Sequence, residues 1–343
     1  VSSLSLTQVH RQTIGEAQQD LIRAQRELAS GRYHDLGLEL GYDIQRSVSM
    51  RGEIERLETF AATSQSVSTR LEVSALALSG LVEGAEEFLA TLLATNQGGE
   101  RDTAVEAAKS AIGAAEELLR SSTGGAYVFS GIDASTPPLG YYFDSPPSVP
   151  KQQIDNEFLT AFGVSQTDPG VSGITAAQMQ TFLSNDFTAE FDLANWQANW
   201  SQASSENMTS RISSSTTIQT SANANDVAIR SLFEAYTMVA DLGAEGLSAD
   251  TYAVVFDAAV SKLGDAIFGI NDMRTNIGIS QERVKDANER AELQKSVFEQ
   301  NLSQLEGVDP YEVSTRINEL TSQLETSYAL TARLQRLSLL DFL

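Results

Sequence analysis

The sequence predicts a mainly α-helical protein: a long antiparallel coiled-coil rod formed by N- and C-terminal helices, with a small mixed α/β insertion domain. Three observations predict it. Apolar residues recur at alternating spacings of three and four near both ends of the chain, the seam pattern of paired helices. A run of twelve such positions, from Ile54 to Leu92, contains no proline. Six of the seven prolines fall between Pro137 and Pro169, and both tryptophans, Trp196 and Trp200, lie just beyond them.

Taken in order, Ile14, Ala17, Leu21, Ala24 and Leu28 form the seam of a first helix, which Gly31 stops. The second helix carries Ile54, Leu57, Ala61, Ser64, Ser68, Leu71, Ala75, Leu78, Val82, Ala85, Leu89 and Leu92. If it is continuous over 43–96, its length is roughly 80 Å at 1.5 Å per residue. Asn96-Gln97-Gly98-Gly99 turns the chain into a third helix with Val105, Ala108, Ile112, Ala115 and Leu119 on one stripe. Tyr127-Val128-Phe129-Ser130-Gly131 reads as a short strand entering a turn. Pro137-Pro138 and Pro146-Pro147 exclude regular helix locally, and the Ser/Thr-rich stretch 208–222 reads as an extended segment leading back.

Helical periodicity returns over roughly 225–243 and again from about 249 to 305, with Val284, Ala287, Ala291, Phe298, Leu302 and Leu305 as a late stripe. After Gly307 and Pro310, Val313, Ile317, Leu320, Leu324, Leu330 and Leu334 mark a last helix. It runs into Leu337-Ser338-Leu339-Leu340-Asp341-Phe342-Leu343. The order is a mirror: terminal helix, long helix, insertion, long helix, terminal helix. The expected domains are 1–42 with 281–343, then 43–132 with 223–280, and the insertion at 133–222.

Composition narrows the function. The chain has 343 residues and 41% hydrophobic residues, enough for a core. Its net charge is −23, which repels phosphate and argues against nucleic acid. Residues 1–40 carry only −1 and residues 281–343 only −4, so −18 of that charge sits in the middle. The middle therefore reads as the solvated body and the ends as contact-making segments. Cysteine is absent, which excludes disulfides and zinc-thiolate sites. No apolar run approaches a membrane span, so no membrane insertion is expected. Val1 to His10 has neither the basic region nor the apolar core of a signal peptide.

Catalytic chemistry finds little support. His10 and His34 are the only histidines, and neither has a metal-spaced partner. There is no His-Glu-x-x-His and no glycine-rich phosphate loop. The pairs Glu86-Glu87 and Glu116-Glu117 read as solvated, because neighbours on a helix diverge by about 100°. No catalytic, cofactor or metal residue is predicted. Tyr141, Tyr142, Phe143, Trp196 and Trp200 could stack on a sugar, but they read better as the core of the insertion.

Several motifs carry a family resemblance. Leu28-Ala29-Ser30-Gly31-Arg32 after a heptad helix resembles the Leu-Ser-Ser/Thr-Gly-Lys/Arg motif of flagellins. Gly125-Ala126-Tyr127-Val128-Phe129-Ser130-Gly131 resembles the Gly-x-Tyr-x-Phe-Ser/Ala-Gly pattern of hook–filament junction proteins. Arg274 to Gly278 looks like the segment opening the family's C-terminal rod helix, and the ending 337–343 is similar to junction-protein tails. One departure is Tyr33-His34-Asp35-Leu36-Gly37, where the family usually has an Asp-Asp turn.

The resemblance implies a structural subunit of the bacterial flagellum that joins hook to filament, or alternatively a filament flagellin or a flagellin-like polysaccharide-binding surface protein. It implies an extracellular location reached through the flagellar type III apparatus without a cleaved leader. Its implied partners are copies of itself, flagellin, the other hook-associated junction protein and an export chaperone. The expected assembly interface is Ile14, Ala17, Leu21, Ala24, Leu28, Ile317, Leu320, Leu324, Leu334, Leu337, Leu339, Leu340, Phe342 and Leu343. Leaving one large apolar side chain in water forgoes about 1.5–3 kcal/mol, so a tail this apolar calls for a covering surface.

Overall fold

A computed structural model describes residues 3–213 and 215–340, with side chains for 8–96, 99–213 and 215–333. Helices dominate it: α1 (Ser3–Ser30), α2 (Leu36–Leu40), α3 (Ile44–Gly98), α4 (Arg101–Leu119), α5 (Val149–Phe162), α6 (Ala176–Phe182), α7 (Thr188–Glu190), α8 (Leu193–Asn195), α9 (Val227–Asp241), α10 (Ala249–Glu306) and α11 (Pro310–Leu340). The predicted long helices are present without a break, α3 over 55 residues and α10 over 58. The proline-free alternation of apolar positions explains why neither is interrupted. Arg274–Gly278 lies inside α10 rather than at its start. Asp35 caps α2 by accepting Leu38 N–H at 3.0 Å, so the divergent first loop holds a short helix.

Strands are few. β1 (Ser122–Thr123) and β2 (Ala126–Tyr127) pair antiparallel across Gly124-Gly125, whose φ values of 58° and 80° suit a two-residue hairpin turn that side chains resist. β3 (Thr209–Arg211) and β4 (Thr217–Gln219) form a second antiparallel pair, Thr209 opposite Gln219. The stretch 208–222 is thus a hairpin rather than one extended run. Prolines also help to start helical turns. Ser148 caps α5 with Pro150 in its first turn, and Asp168 caps a 3₁₀ turn that begins at Pro169.

The chain divides into two compact units, one formed by residues up to Thr59 and from Arg290 onward, the other by Phe60–Glu289. In the second unit α3, α4, α9 and α10 pack together. Gly80 of α3 faces Leu118 of α4, Phe88 of α3 meets Tyr236 of α9 edge-on at 5.2 Å, and Gly269 of α10 abuts Ala228 of α9. Leu71, Leu78, Leu92, Ile112, Leu119, Ile229, Leu232, Val255, Leu263 and Ile270 are all fully buried there. Glu234, buried within α9, is satisfied by Lys262 at 2.7 Å and by the Thr188 hydroxyl at 2.7 Å.

An aromatic cluster completes this core. Trp200 lies stacked between Tyr142 at 5.0 Å and Trp196 at 5.1 Å, and Phe233 meets both tryptophans edge-on. Tyr142, Trp196 and Trp200 are buried. Their ring faces are occupied by one another and offer no platform to a sugar. Tyr141 and Phe143 alone of the five reach solvent.

Candidate assembly interface

The other unit is built on the terminal helices. α1 and α11 run antiparallel: Gln18 Nε2 donates to the Tyr328 hydroxyl at 2.6 Å, Glu27 faces Arg316 at 3.7 Å, and Val308 N–H donates to Gly31 carbonyl at 3.1 Å. Of the predicted seam, Ala17, Ala24 and Leu324 are buried. Ile14, Leu21, Ile317 and Leu320 are half-buried, and Leu28 is exposed. Leu334, Leu337, Leu339 and Leu340 fall among residues whose side chains are not described, and Phe342 and Leu343 lie outside the described residues.

A polar lock closes the base of this pair. Glu306, the last residue of α10, is wholly buried. Its carboxylate accepts Arg51 Nε at 3.1 Å, a second close bond from Arg51 Nη2 and the Ser47 hydroxyl, while Arg32 stands 3.8 Å away. Its own carbonyl accepts Tyr33 N–H at 3.0 Å. Gly307 bridges to Arg32, and a Cβ there would lie 2.3 Å from the Ser303 carbonyl oxygen, so only glycine fits. One acid therefore ties together the end of α10, the start of α3 and the loop after α1.

Burial pushes the Glu306 carboxyl up. Hydrogen bonds from Arg51 and Ser47, together with the charges of Arg51 and Arg32, outweigh it and hold the group below the usual carboxylate range. Nearby, the carboxylate of buried Glu27 accepts His34 N–H at 3.1 Å. The sequence reading missed this lock, although a signal exists. Glu306 follows Leu302 by four residues, and Arg51 precedes Ile54 by three, so charged residues sit on inward-facing stripes.

Much apolar surface on this unit stays open. Val9, Ile22 and Leu28 of α1 and Tyr311, Tyr328 and Leu330 of α11 are exposed, as are Val48 of α3 and Leu293 and Val297 of α10. Leu293 is 69% exposed and Val9 61%. Asn318 and Gln323, polar residues on the last helix, face solvent. Among the described residues no group of histidine, aspartate and glutamate is placed to hold a metal ion, and no helix is long and apolar enough to cross a membrane.

The comparisons agree with this architecture. Residues 1–134 match the family model of the bacterial flagellin N-terminal helical region, and residues 260–343 match that of the bacterial flagellin C-terminal helical region. A protein assigned as a flagellar hook-associated protein from Vibrio parahaemolyticus has the same fold, with a TM-score of 0.51 at 11% identity, covering 76% of this chain and 95% of its own. FlgL of Bacillus cereus gives a TM-score of 0.47 at 11% identity, over 75% of this chain and 97% of its own. No curated protein sequence shows significant similarity to the chain. With both helical regions matched at their expected ends and together spanning most of its length, the chain belongs to the flagellin superfamily.

Proposed function

We propose that this chain is a structural subunit of the bacterial flagellum that joins hook to filament and assembles through its terminal helices. The observation that carries the reading is the uncovered apolar surface of the α1–α11 pair. Val9, Ile22, Leu28, Tyr328 and Leu330 lie open on the two helices that the flagellin family models match. Fully burying a large apolar side chain is worth about 1.5–3 kcal/mol, of which these partly exposed residues forgo a share, and adjoining copies are the economical cover. Head-to-tail contacts of this kind generate helical tubes.

In this reading, residues 1–42 and 281–343 form the inner polymerising layer, 43–132 and 223–280 the next, and 133–222 the outer surface. The partners are copies of itself, flagellin, the other hook-associated junction protein and an export chaperone. The protein acts outside the cell and leaves through the flagellar type III apparatus. Two features favour the junction over the filament: the Gly125–Gly131 motif, and a fold shared with the Vibrio protein. A cell expressing a labelled copy tests this directly. The expected result is a short band beside the hook, whereas label along the whole filament would make the chain a filament subunit. Deleting residues 310–343 should leave a soluble, partly folded monomer that cannot join the filament. Motility supported by that truncation would overturn assembly through the ends.

A further inference from the structure

Away from the terminal helices, a short strap of chain, residues 138–143, crosses the end of α4. Arg120 Nη1 donates to the Leu139 carbonyl at 2.7 Å and its guanidinium lies 4.7 Å over the Tyr141 ring. The Tyr141 hydroxyl donates to Glu117 at 2.5 Å, and Tyr142 N–H donates to Glu116 Oε1 at 2.7 Å. On its far side the strap is held by Gln202 N–H donating to the Pro138 carbonyl at 2.9 Å. The Tyr142 hydroxyl donates to Asp241 of α9 at 2.6 Å.

Glu116 is the odd member of this set. It is buried, yet among the described residues Tyr142 N–H is the one hydrogen bond to its carboxyl, and no cation is bonded to that group. The cation beside it, Arg120, is spent on the strap carbonyl and the Tyr141 ring. The carboxyl borders a cavity of about 320 Å³ that Leu139, Tyr142, Trp200 and Phe233 also line. Its charged neighbours are Glu117 on α4, Arg120 just past the end of α4, Asp144 beyond the strap, and Asp241 on α9, itself paired with Lys151 of α5 at 3.1 Å beside Asp155. Burial raises the Glu116 carboxyl to about 7, against the pull of Tyr142 N–H and Arg120 and with the push of Glu117 and Asp144.

We propose that Glu116 is a proton-controlled latch: protonated, it lets the 138–143 strap stay closed over it on α4, and loss of the proton makes local opening of the strap easier. The carboxylate left behind has one N–H donor and no counter-ion, and lifting the strap lets water reach it. The sign follows from linkage. The closed strap binds the proton more tightly than the open one, so opening becomes easier as pH rises from the ordinary carboxyl range to about 7, and changes no further above it.

Hydrogen exchange of the strap amides on the full chain, corrected for the intrinsic pH dependence of exchange, tests this. In the wild type the opening constant should rise by up to about tenfold per pH unit between about 4.5 and 7, then level off. Glu116→Gln keeps an acceptor for Tyr142 N–H and should remove the rise that extends to about 7, leaving only the part contributed by Asp241, whose carboxyl burial also raises. Asp241→Asn should keep the slope. A flat wild-type profile overturns the latch without need of any variant. So does a rise that still extends to about 7 in Glu116→Gln or that vanishes in Asp241→Asn, which would move the titration to the α9 acid.

Discussion

Two buried glutamates, Glu306 in the terminal unit and Glu116 in Phe60–Glu289, each stand at a junction of elements, and they are opposites. Glu306 receives Arg51 and Ser47 with Arg32 close by, and its carboxyl sits low. Glu116 receives a single backbone N–H, and its carboxyl sits high. Both are nearly inaccessible to solvent, and their hydrogen-bond and charge partners differ. The apolar packing differs in the same direction. Phe60–Glu289 sets Glu116 beside stacked aromatic rings, whereas the terminal unit has a thin aliphatic seam, Ala17, Ala24, Leu57, Leu302, Val313 and Leu324 among it, and adds a polar lock. A unit whose apolar cover is incomplete holds its geometry by charge-assisted bonds, which specify angle and register at small cost in surface.

The contrast can be broken at several points. The largest effect is expected in the aromatic core: Trp196→Ala should cost about 4 kcal/mol in denaturant unfolding, since a fully buried indole leaves a cavity that the stacked rings cannot fill. Glu306→Ala should cost about 3 kcal/mol, the low end for breaking a buried pair, because water still reaches the half-exposed Arg51. Its signature is local, faster hydrogen exchange at Tyr33 and Val308, whose amides the lock region holds.

The pH response sharpens the comparison. Glu306 titrates lower in the folded chain than in the unfolded one, so its stabilisation is complete above the ordinary carboxyl value of about 4.3. It is lost as pH falls through the group's own lower value. Acid unfolding followed on the terminal unit should show this loss, and Glu306→Gln should remove that part of the slope. Stabilisation through Glu116 runs the other way and weakens as pH rises toward 7. The smallest effect on stability is expected at Leu293→Ser, within about 0.5 kcal/mol because the residue already faces water. A polymerisation assay on the same variant should nonetheless show weaker incorporation, and unchanged incorporation would remove Leu293 from the interface.

Most of the helical frame was legible residue by residue. The 3/4 alternation from Ile54 to Leu92 foretold α3, and the stripe Val105–Leu119 foretold α4. Buried Val284, Ala287 and Leu302 match the late stripe of α10. The aromatic core reading of Trp196 and Trp200 also agrees with their burial. The π-helical turns at Leu183–Phe187 and Trp196–Trp200 had no local signal, because they answer to ring packing rather than to periodicity. Leu28 continued the seam on paper, yet is exposed where α1 ends and the chain turns toward Arg32.

The sequence alone determined where helices run, where glycines end them, and which stripe of each is apolar, since these depend on neighbours within a few residues and on rotation per residue along one helix. Tertiary structure decided what those stripes meet. Ser47 and Glu306 are 259 positions apart, and Glu116 and Tyr142 are joined only when the strap folds back over α4. Whether a buried carboxylate is countered by a guanidinium or by one amide depends on chain segments that no local pattern brings together, and that difference separates the lock from the latch.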